Sequence, residues 1–353
     1  MIKRRKILIY LCVIEMLASL FSFANAIESH AVVLMYHRFD ESKYPSTNIQ
    51  SEQFIAQLDF LEKNDFRVWS LQKIIHYLQS QIPIPDKTVG ISIDDAYISV
   101  YQVAFPILKK RNLPFTVFVA TEPVDNKNPG YMSWDHLREM MKAGVSIGNH
   151  SRTHLHFVNQ KKNESKKDWL QRIENDVLYA SRRIDEELGI KANYFAYPYG
   201  EYNLTIAALM ENLGFVSFGQ HSGAIGERNN MNFLPRYPLS ESFADLNNFK
   251  DKVLSLPLPV LAINPLEVVT QSTKPLLRME LDTSIAKVRD LRCYAAGQGL
   301  LNMDWKENGL VLIQATKPFL TRRSRYNCTL PMQGRYYWYS HLWVQSNIPE
   351  LAH

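Results

Sequence analysis

The chain has few cysteines, little excess charge, no long apolar run and no internal repeat. Three cysteines occur in 353 residues, at positions 12, 293 and 328, which leaves room for one disulfide. Lysine and arginine exceed aspartate and glutamate by only five. A balance that close argues for neither a nucleic-acid partner nor a strongly acidic polymer. The longest apolar stretch, Ile7 to Leu20, is short for a membrane span and is interrupted by Glu15. No stretch repeats at a fixed period and no long low-complexity tract occurs, which sets aside repeat architectures.

The N-terminus reads as an export signal. Lys3-Arg4-Arg5-Lys6 is a positive n-region, Ile7 to Leu20 an apolar core, and Ala24-Asn25-Ala26 a small-residue cleavage site. The alternative is a retained membrane anchor. Cleavage after residue 26 removes four basic residues and one acidic one, so the net charge falls from +5 to +2. The expected location is periplasmic or extracellular, with no stable membrane span after cleavage. Cys12 leaves with the leader. In an exported chain, Cys293 and Cys328 then read as a disulfide, the alternative being two unrelated buried thiols.

The 327 residues left of 353 are too many for one ordinary core, so two domains are expected. Segments of helical and strand character alternate from Ala31 to about Phe218, which argues for a parallel sheet or barrel. Helices are expected at Gln53–Lys63, Leu71–Leu78, Val100–Arg111, Trp134–Ala143 and Glu164–Leu188. In the last, Trp169, Ile173, Val177, Ala180, Ile184 and Leu188 fall on one face of a 3.6-residue period. Strands are expected at Phe115–Ala120 and Ser146–Asn149. Leu256-Pro257-Leu258-Pro259 reads as a linker. Beyond it lie short strand-like segments, Leu266–Thr270, Leu276–Leu281, Leu310–Ala315 and Tyr336–Trp343, which suggest a small β-sandwich. The expected division is a signal peptide at 1–26, a catalytic domain at 27–250 and a β-rich accessory domain at 251–353.

The chemistry concentrates in two places. The apolar run Thr88-Val89-Gly90-Ile91-Ser92-Ile93 reads as a buried strand and ends in Asp94 and Asp95. Two adjacent ionised carboxylates do not belong in an unpaired core. Val145 to Asn149 reads as a second strand, ending at His150, with His154 four residues on. Two histidines and a carboxylate form a common zinc-ligand set with a position left for water, and a spare carboxylate beside it could serve as general base. Taken singly, paired aspartates are often turn or cap residues, and an HxxxH pair often occurs by chance.

Three motifs in order resemble one family. Ser92-Ile93-Asp94-Asp95 is similar to its first motif, Ser/Thr-Phe-Asp-Asp-Gly. His150-Ser151-Arg152-Thr153-His154 is similar to its second, His-Ser/Thr-x-x-His. Phe195-Ala196-Tyr197-Pro198-Tyr199-Gly200 is similar to its third, Arg-x-Pro-aromatic-Gly. These are the motifs of the polysaccharide deacetylases, the NodB-homology group (carbohydrate esterase family 4), and the likeness spans roughly residues 31–245. It implies an α/β fold with a distorted (β/α) barrel, a divalent metal and removal of N-acetyl groups from a polysaccharide. By that resemblance Asp95, His150 and His154 hold the metal, most simply Zn²⁺ with Co²⁺, Ni²⁺ or Fe²⁺ as alternatives. Asp94 is then the base, and the Tyr199 N–H holds the oxyanion.

Two positions depart from the pattern. Ala96 replaces a glycine, and an ordinary backbone conformation is expected there. Ala196 replaces the arginine that orients the base, and Arg236 in Leu234-Pro235-Arg236-Tyr237-Pro238 is the candidate substitute, or else a surface ion-pair residue. The family's late Leu-x-x-His motif, which supplies the general acid, is not evident. In a branch resembling poly-N-acetylglucosamine deacetylases that histidine precedes the first motif, and here Leu34-Met35-Tyr36-His37-Arg38 offers His37.

Other residues have blander readings beside functional ones. His156 could compete with His154 as a ligand, His221 could line the site, and His76 is expected to face solvent. The loop Tyr44 to Asn48 could contact substrate. Arg322, Arg323 and Arg325, with Tyr336-Tyr337-Trp338-Tyr339, could form a carbohydrate surface, pack in a sandwich core, or dock against the barrel rim. At the level of function, a non-catalytic carbohydrate-binding protein and a deacetylase of a non-polysaccharide amide or ester remain open beside the polysaccharide deacetylase.

Overall fold

The computed structural model describes residues 29–284, 287–346 and 348. The expected leader at 1–26, with Cys12, lies outside the described residues. Six parallel strands in chain order form the body of a nine-stranded first sheet: β1 (His30–Tyr36), β2 (Thr88–Asp94), β3 (Thr116–Val119), β4 (Ser146–Asn149), β5 (Tyr194–Ala196) and β6 (Val216–Phe218). The two longest, β1 and β2, are buried along their whole length, as strands covered on both faces must be. The sheet curls towards closure. Leu234 bridges to Phe218 of β6, while Tyr237–Pro238 pairs with Leu34 and Met35 of β1. Arg236 therefore lies in the segment that closes the gap between the first and last strands.

The helices form where apolar spacing and caps agree. Lys166–Leu188 starts at Ser165, whose side chain accepts from the Asp168 N–H, and stops at Gly189 in a left-handed conformation. Its expected stripe is buried from Trp169 to Ile184. The expected helix Val100–Arg111 is divided into a π-helical turn at Val100–Ala104 and an α-helix at Phe105–Lys110.

Two further sheets face each other in the C-terminal part. One runs Leu256–Pro257, Arg335–Val344, Arg323–Met332, Arg292–Ala295, Gly299–Leu300; the other runs Val260–Asn264, Leu276–Leu281, Leu310–Gln314, Asn302–Trp305. Alternating buried positions such as Leu277, Met279 and Leu281 meet Cys293, Tyr326 and Trp343 in one core. The stretch read as a linker is instead the buried edge strand Leu256–Pro257, because its apolar side chains outweigh its prolines and an edge strand tolerates proline. The strand expected at Leu266–Thr270 reduces to a single bridge between Val269 and Val344. Cys293 and Cys328 are bonded and sit directly opposite each other in register. Among the described residues, no helix is long and apolar enough to cross a membrane.

Candidate metal centre

The C-terminal ends of the parallel strands bring the motif residues to one rim. Asp94 ends β2, Asp95 follows it, His150 follows β4, Ala196 ends β5, and His37 follows β1. Strand ends on one rim converge, which is why residues far apart in sequence meet here.

Asp95, His150 and His154 form the centre. The Asp95 Oδ1 lies 3.1 Å from both His150 Nε2 and His154 Nε2. The His150 ring is oriented from behind, since its Nδ1 lies 2.7 Å from the Ala196 carbonyl and must donate to it. Nε2 is thereby left as a lone pair facing a carboxylate oxygen. Both atoms are buried and neither has a hydrogen-bond partner. Two acceptors aimed at each other need a cation between them, and the three ligand atoms lie within 4.8 Å of one another. Burial alone would lower the His150 pKa, but the adjacent carboxylates of Asp95 and Asp94 raise it. A field that favours a proton there also favours a metal ion. The donor set fits a divalent cation.

The turn carrying His154 is built by short-range bonds. Asn149 Oδ1 accepts from the Ser151 N–H, and Ser151 Oγ accepts from the His154 N–H. Asp176, on the long helix, accepts from the backbone N–H groups of Arg152 and Thr153 and from the Thr153 hydroxyl. Ser151 and His154 both take positive φ, 68° and 52°. Sequence reasoning missed Asp176, because a carboxylate one helix away carries no local signal.

Beside the centre, Asp94 is fully buried and paired with Arg236. The guanidinium donates from Nη1 to Oδ1 at 2.7 Å and from Nη2 to Oδ2 at 2.8 Å. Arg236 is itself fully buried and also donates to the Gly219 carbonyl and Ser92 Oγ. It is no surface ion-pair residue. Burial pushes the Asp94 pKa up, but Arg236 and His150 outweigh it and hold the carboxyl below its ordinary value. The side chain is therefore ionised at neutral pH.

His37 is half-buried within the field of both aspartates, and burial nonetheless lowers its pKa. Tyr199 sits in the turn Pro198–Gly200 at φ 58°, its ring 4.6 Å from that of His154 and stacked 3.9 Å from that of His156. Gly200 is required there: φ is +69°, and a Cβ would lie 2.7 Å from the Gln220 backbone nitrogen.

The profile of the family described as Polysaccharide deacetylase matches residues 81–218. The solved structure of IcaB from Ammonifex degensii is 30% identical, with a TM-score of 0.56, over 64% of this chain and 98% of that one. The chain belongs to the polysaccharide deacetylase family. Poly-beta-1,6-N-acetyl-D-glucosamine N-deacetylase of Staphylococcus aureus is 25% identical over 236 residues, which is 61% of this chain and 80% of the relative. The fold is shared with a de-N-acetylase from Aggregatibacter actinomycetemcomitans at 23% identity and a TM-score of 0.57, over 63% of this chain and 98% of that one.

Against the family pattern, the Ala96 expectation fails. Ala96 takes φ 61°, directly after Asp95 at φ 73°, so the turn keeps a left-handed conformation in spite of its methyl group. That conformation costs an alanine about 1–2 kcal/mol. The methyl is fully buried, a gain of about 0.8 kcal/mol. Alanine also loses less chain entropy on folding, by about 0.5–1 kcal/mol. These contributions nearly cancel. Ala96→Gly is expected to change unfolding free energy by less than about 1 kcal/mol, checked by urea denaturation; a larger gain would mean that the strain is unrelieved elsewhere.

The remaining candidates separate clearly. His156 is not among the converging ligands; its Nδ1 lies 2.9 Å from Glu201 Oε2. His221 lies behind Arg236, whose N–H bonds to its carbonyl, and burial lowers its pKa to about 3. His76 is exposed. Tyr44, in the first loop, stacks on Arg38, which also lies over Tyr97. Arg322 and Arg325 dock on the barrel rather than facing solvent, with Arg325 donating to the Gln220 carbonyl and Arg322 gripping buried Glu201. Of the aromatic run, Trp338 packs edge-on to barrel Tyr237, while Tyr337 and Tyr339 pack against the sandwich core.

Proposed function

We propose that this polysaccharide deacetylase hydrolyses N-acetyl groups on an N-acetylglucosamine polysaccharide outside the cytoplasm, using a divalent metal, most simply zinc. The observation that carries this is the unpartnered Asp95–His150 acceptor pair, with His154, beside the Asp94–Arg236 pair. The likeness to the staphylococcal relative supports the sugar, and the Cys293–Cys328 bond supports export. Residues 27–250 would form the catalytic domain and 251–353 the accessory one. The helix Leu246–Val253 that crosses this boundary packs on the barrel through Phe249 and Val253.

Asp95, His150 and His154 would hold the ion. A divalent ion bound there supplies Lewis acidity towards the acetyl carbonyl and brings the pKa of a bound water down to about 7. Asp94 takes the proton from the attacking water. Both its oxygens are engaged by Arg236, so it accepts on a remaining lone pair, in a fixed orientation. The backbone N–H of Tyr199 donates to the developing oxyanion. His37 protonates the leaving amine, which departs poorly as an anion.

The test is acetate release from a soluble N-acetylglucosamine oligomer by residues 27–353, stripped of metal and re-supplied with zinc or cobalt. Release is expected only with metal. His37→Gln is expected to bind metal normally and lose a factor of about 10²–10⁴ in kcat. Equal release with and without metal would overturn the metal-dependent mechanism.

A further inference from the structure

Three arginines at the start of one accessory-sheet strand converge on the turn that carries Tyr199. Arg322, just before Arg323–Met332, is 5% exposed, and all its donors are used. Its Nε and Nη2 reach Glu201 Oε1 and Oε2 at 2.7 and 2.9 Å. Nη2 also reaches Asn159 Oδ1 at 2.8 Å, and Nη1 reaches the carbonyls of Ser346 and Ile348. Glu201 is fully buried and directly follows Gly200. It also bonds to His156, whose ring stacks on Tyr199, and lies 3.7 Å from Arg323 Nη1. Arg323 lies 5.2 Å from the Tyr199 ring centroid. Arg325 holds the carbonyl of Gln220, the residue against which Gly200 packs without space for a Cβ. The turn is thus gripped on both sides by accessory-domain arginines.

We propose that Arg322 is a positioning residue for deacetylation: through Glu201 it fixes the Pro198–Gly200 turn, so that the accessory domain completes the active site. A Tyr199 N–H that moves by about 1 Å no longer meets the oxyanion, and such displacements cost on the order of 10²-fold in rate. Neither Glu201 nor Arg322 bonds to Asp95, His150 or His154, so the effect is expected on kcat, with KM and metal binding unchanged. A bidentate grip needs a planar guanidinium, so a lysine replaces it only in part.

The proposal rests on the deacetylase reading, and the experiment separates the two. Full-length mature protein is compared with Arg322→Lys, Arg322→Ala and the apolar double variant Glu201→Met/Arg322→Met, measuring acetate release, zinc stoichiometry and thermal unfolding. The double variant removes both charges of the buried pair together, so that the titratable neighbours losing a contact are the part-exposed Arg323 and His156, and it is expected to fold even where Arg322→Ala does not. Positioning predicts full zinc binding, an unchanged KM and a kcat reduced by about 10- to 100-fold in the double variant, with partial recovery in Arg322→Lys. A double variant that folds and keeps wild-type kcat would show that the pair is only structural. Absence of release by the zinc-loaded wild type would overturn the deacetylase reading and this proposal with it.

Discussion

Asp94→Asn is expected to abolish measurable acetate release while leaving metal bound at one equivalent. The substitution keeps the shape of the side chain and removes only the ability to take a proton, so about 10²–10⁴ in kcat should be lost. The proposed metal ligands are Asp95, His150 and His154, so stoichiometry should not change. Stability should fall as well, because Arg236 then keeps its charge in a fully buried site beside a neutral amide. The variant should therefore unfold at a lower temperature but remain folded during assay. Full activity with metal bound would remove Asp94 from the role of base.

Arg236→Ala is expected to be the most destabilising single change at the site. It leaves Asp94 as an uncompensated buried carboxylate, a situation that costs about 3–5 kcal/mol. The sign of its pH dependence follows from the forces on Asp94. In the native site, burial raises the pKa, and Arg236 together with His150 more than reverses it. That depressed pKa contributes stability above the ordinary carboxylate value, which is lost as pH falls through the folded pKa. Without Arg236 the raising effect of burial prevails, so the variant binds a proton more tightly when folded than when unfolded. Its stability deficit should be largest at neutral pH and shrink as pH falls. The acidic limb of its residual activity should move to higher pH, because the base is protonated sooner. Urea denaturation between pH 4 and 8 checks both statements. A deficit independent of pH would mean that Arg236 acts by packing alone.

Much of the site was legible because its chemistry is local in sequence. A buried strand ending in two carboxylates, and a second ending in His-Ser-x-x-His, can be read from period and residue type alone, and the curled sheet then brings them together. Residues that act across the sheet were less legible. Arg236 could be named as a substitute for the arginine missing at 196, but it could equally have been an exposed residue. Its burial follows from Tyr237–Pro238 pairing with β1 and Leu234 bridging to β6, pairings that no local pattern encodes. The left-handed turn at Ala96 was misread for a related reason. An alanine by itself prefers the ordinary backbone region, and only the fixed exits of β2 and its neighbours impose the other.

The accessory part divides in the same way. Sequence alone supplied its β-rich character and its bridged cysteines, because alternation and residue pairing are short-range properties. It also marked the arginines at 322, 323 and 325 as unusual. Where they point was decided by the tertiary structure. A guanidinium that is costly to bury alone becomes acceptable when Glu201 meets it with two oxygens, and the partner lies 121 residues away. The sequence by itself determined the candidate metal-ligand set, the candidate base and the strands that carry them. Only the folded chain decided which arginine faces Asp94 and which arginine grips the residue after the Pro198–Gly200 turn, because those contacts depend on long-range packing and mutual burial of charge.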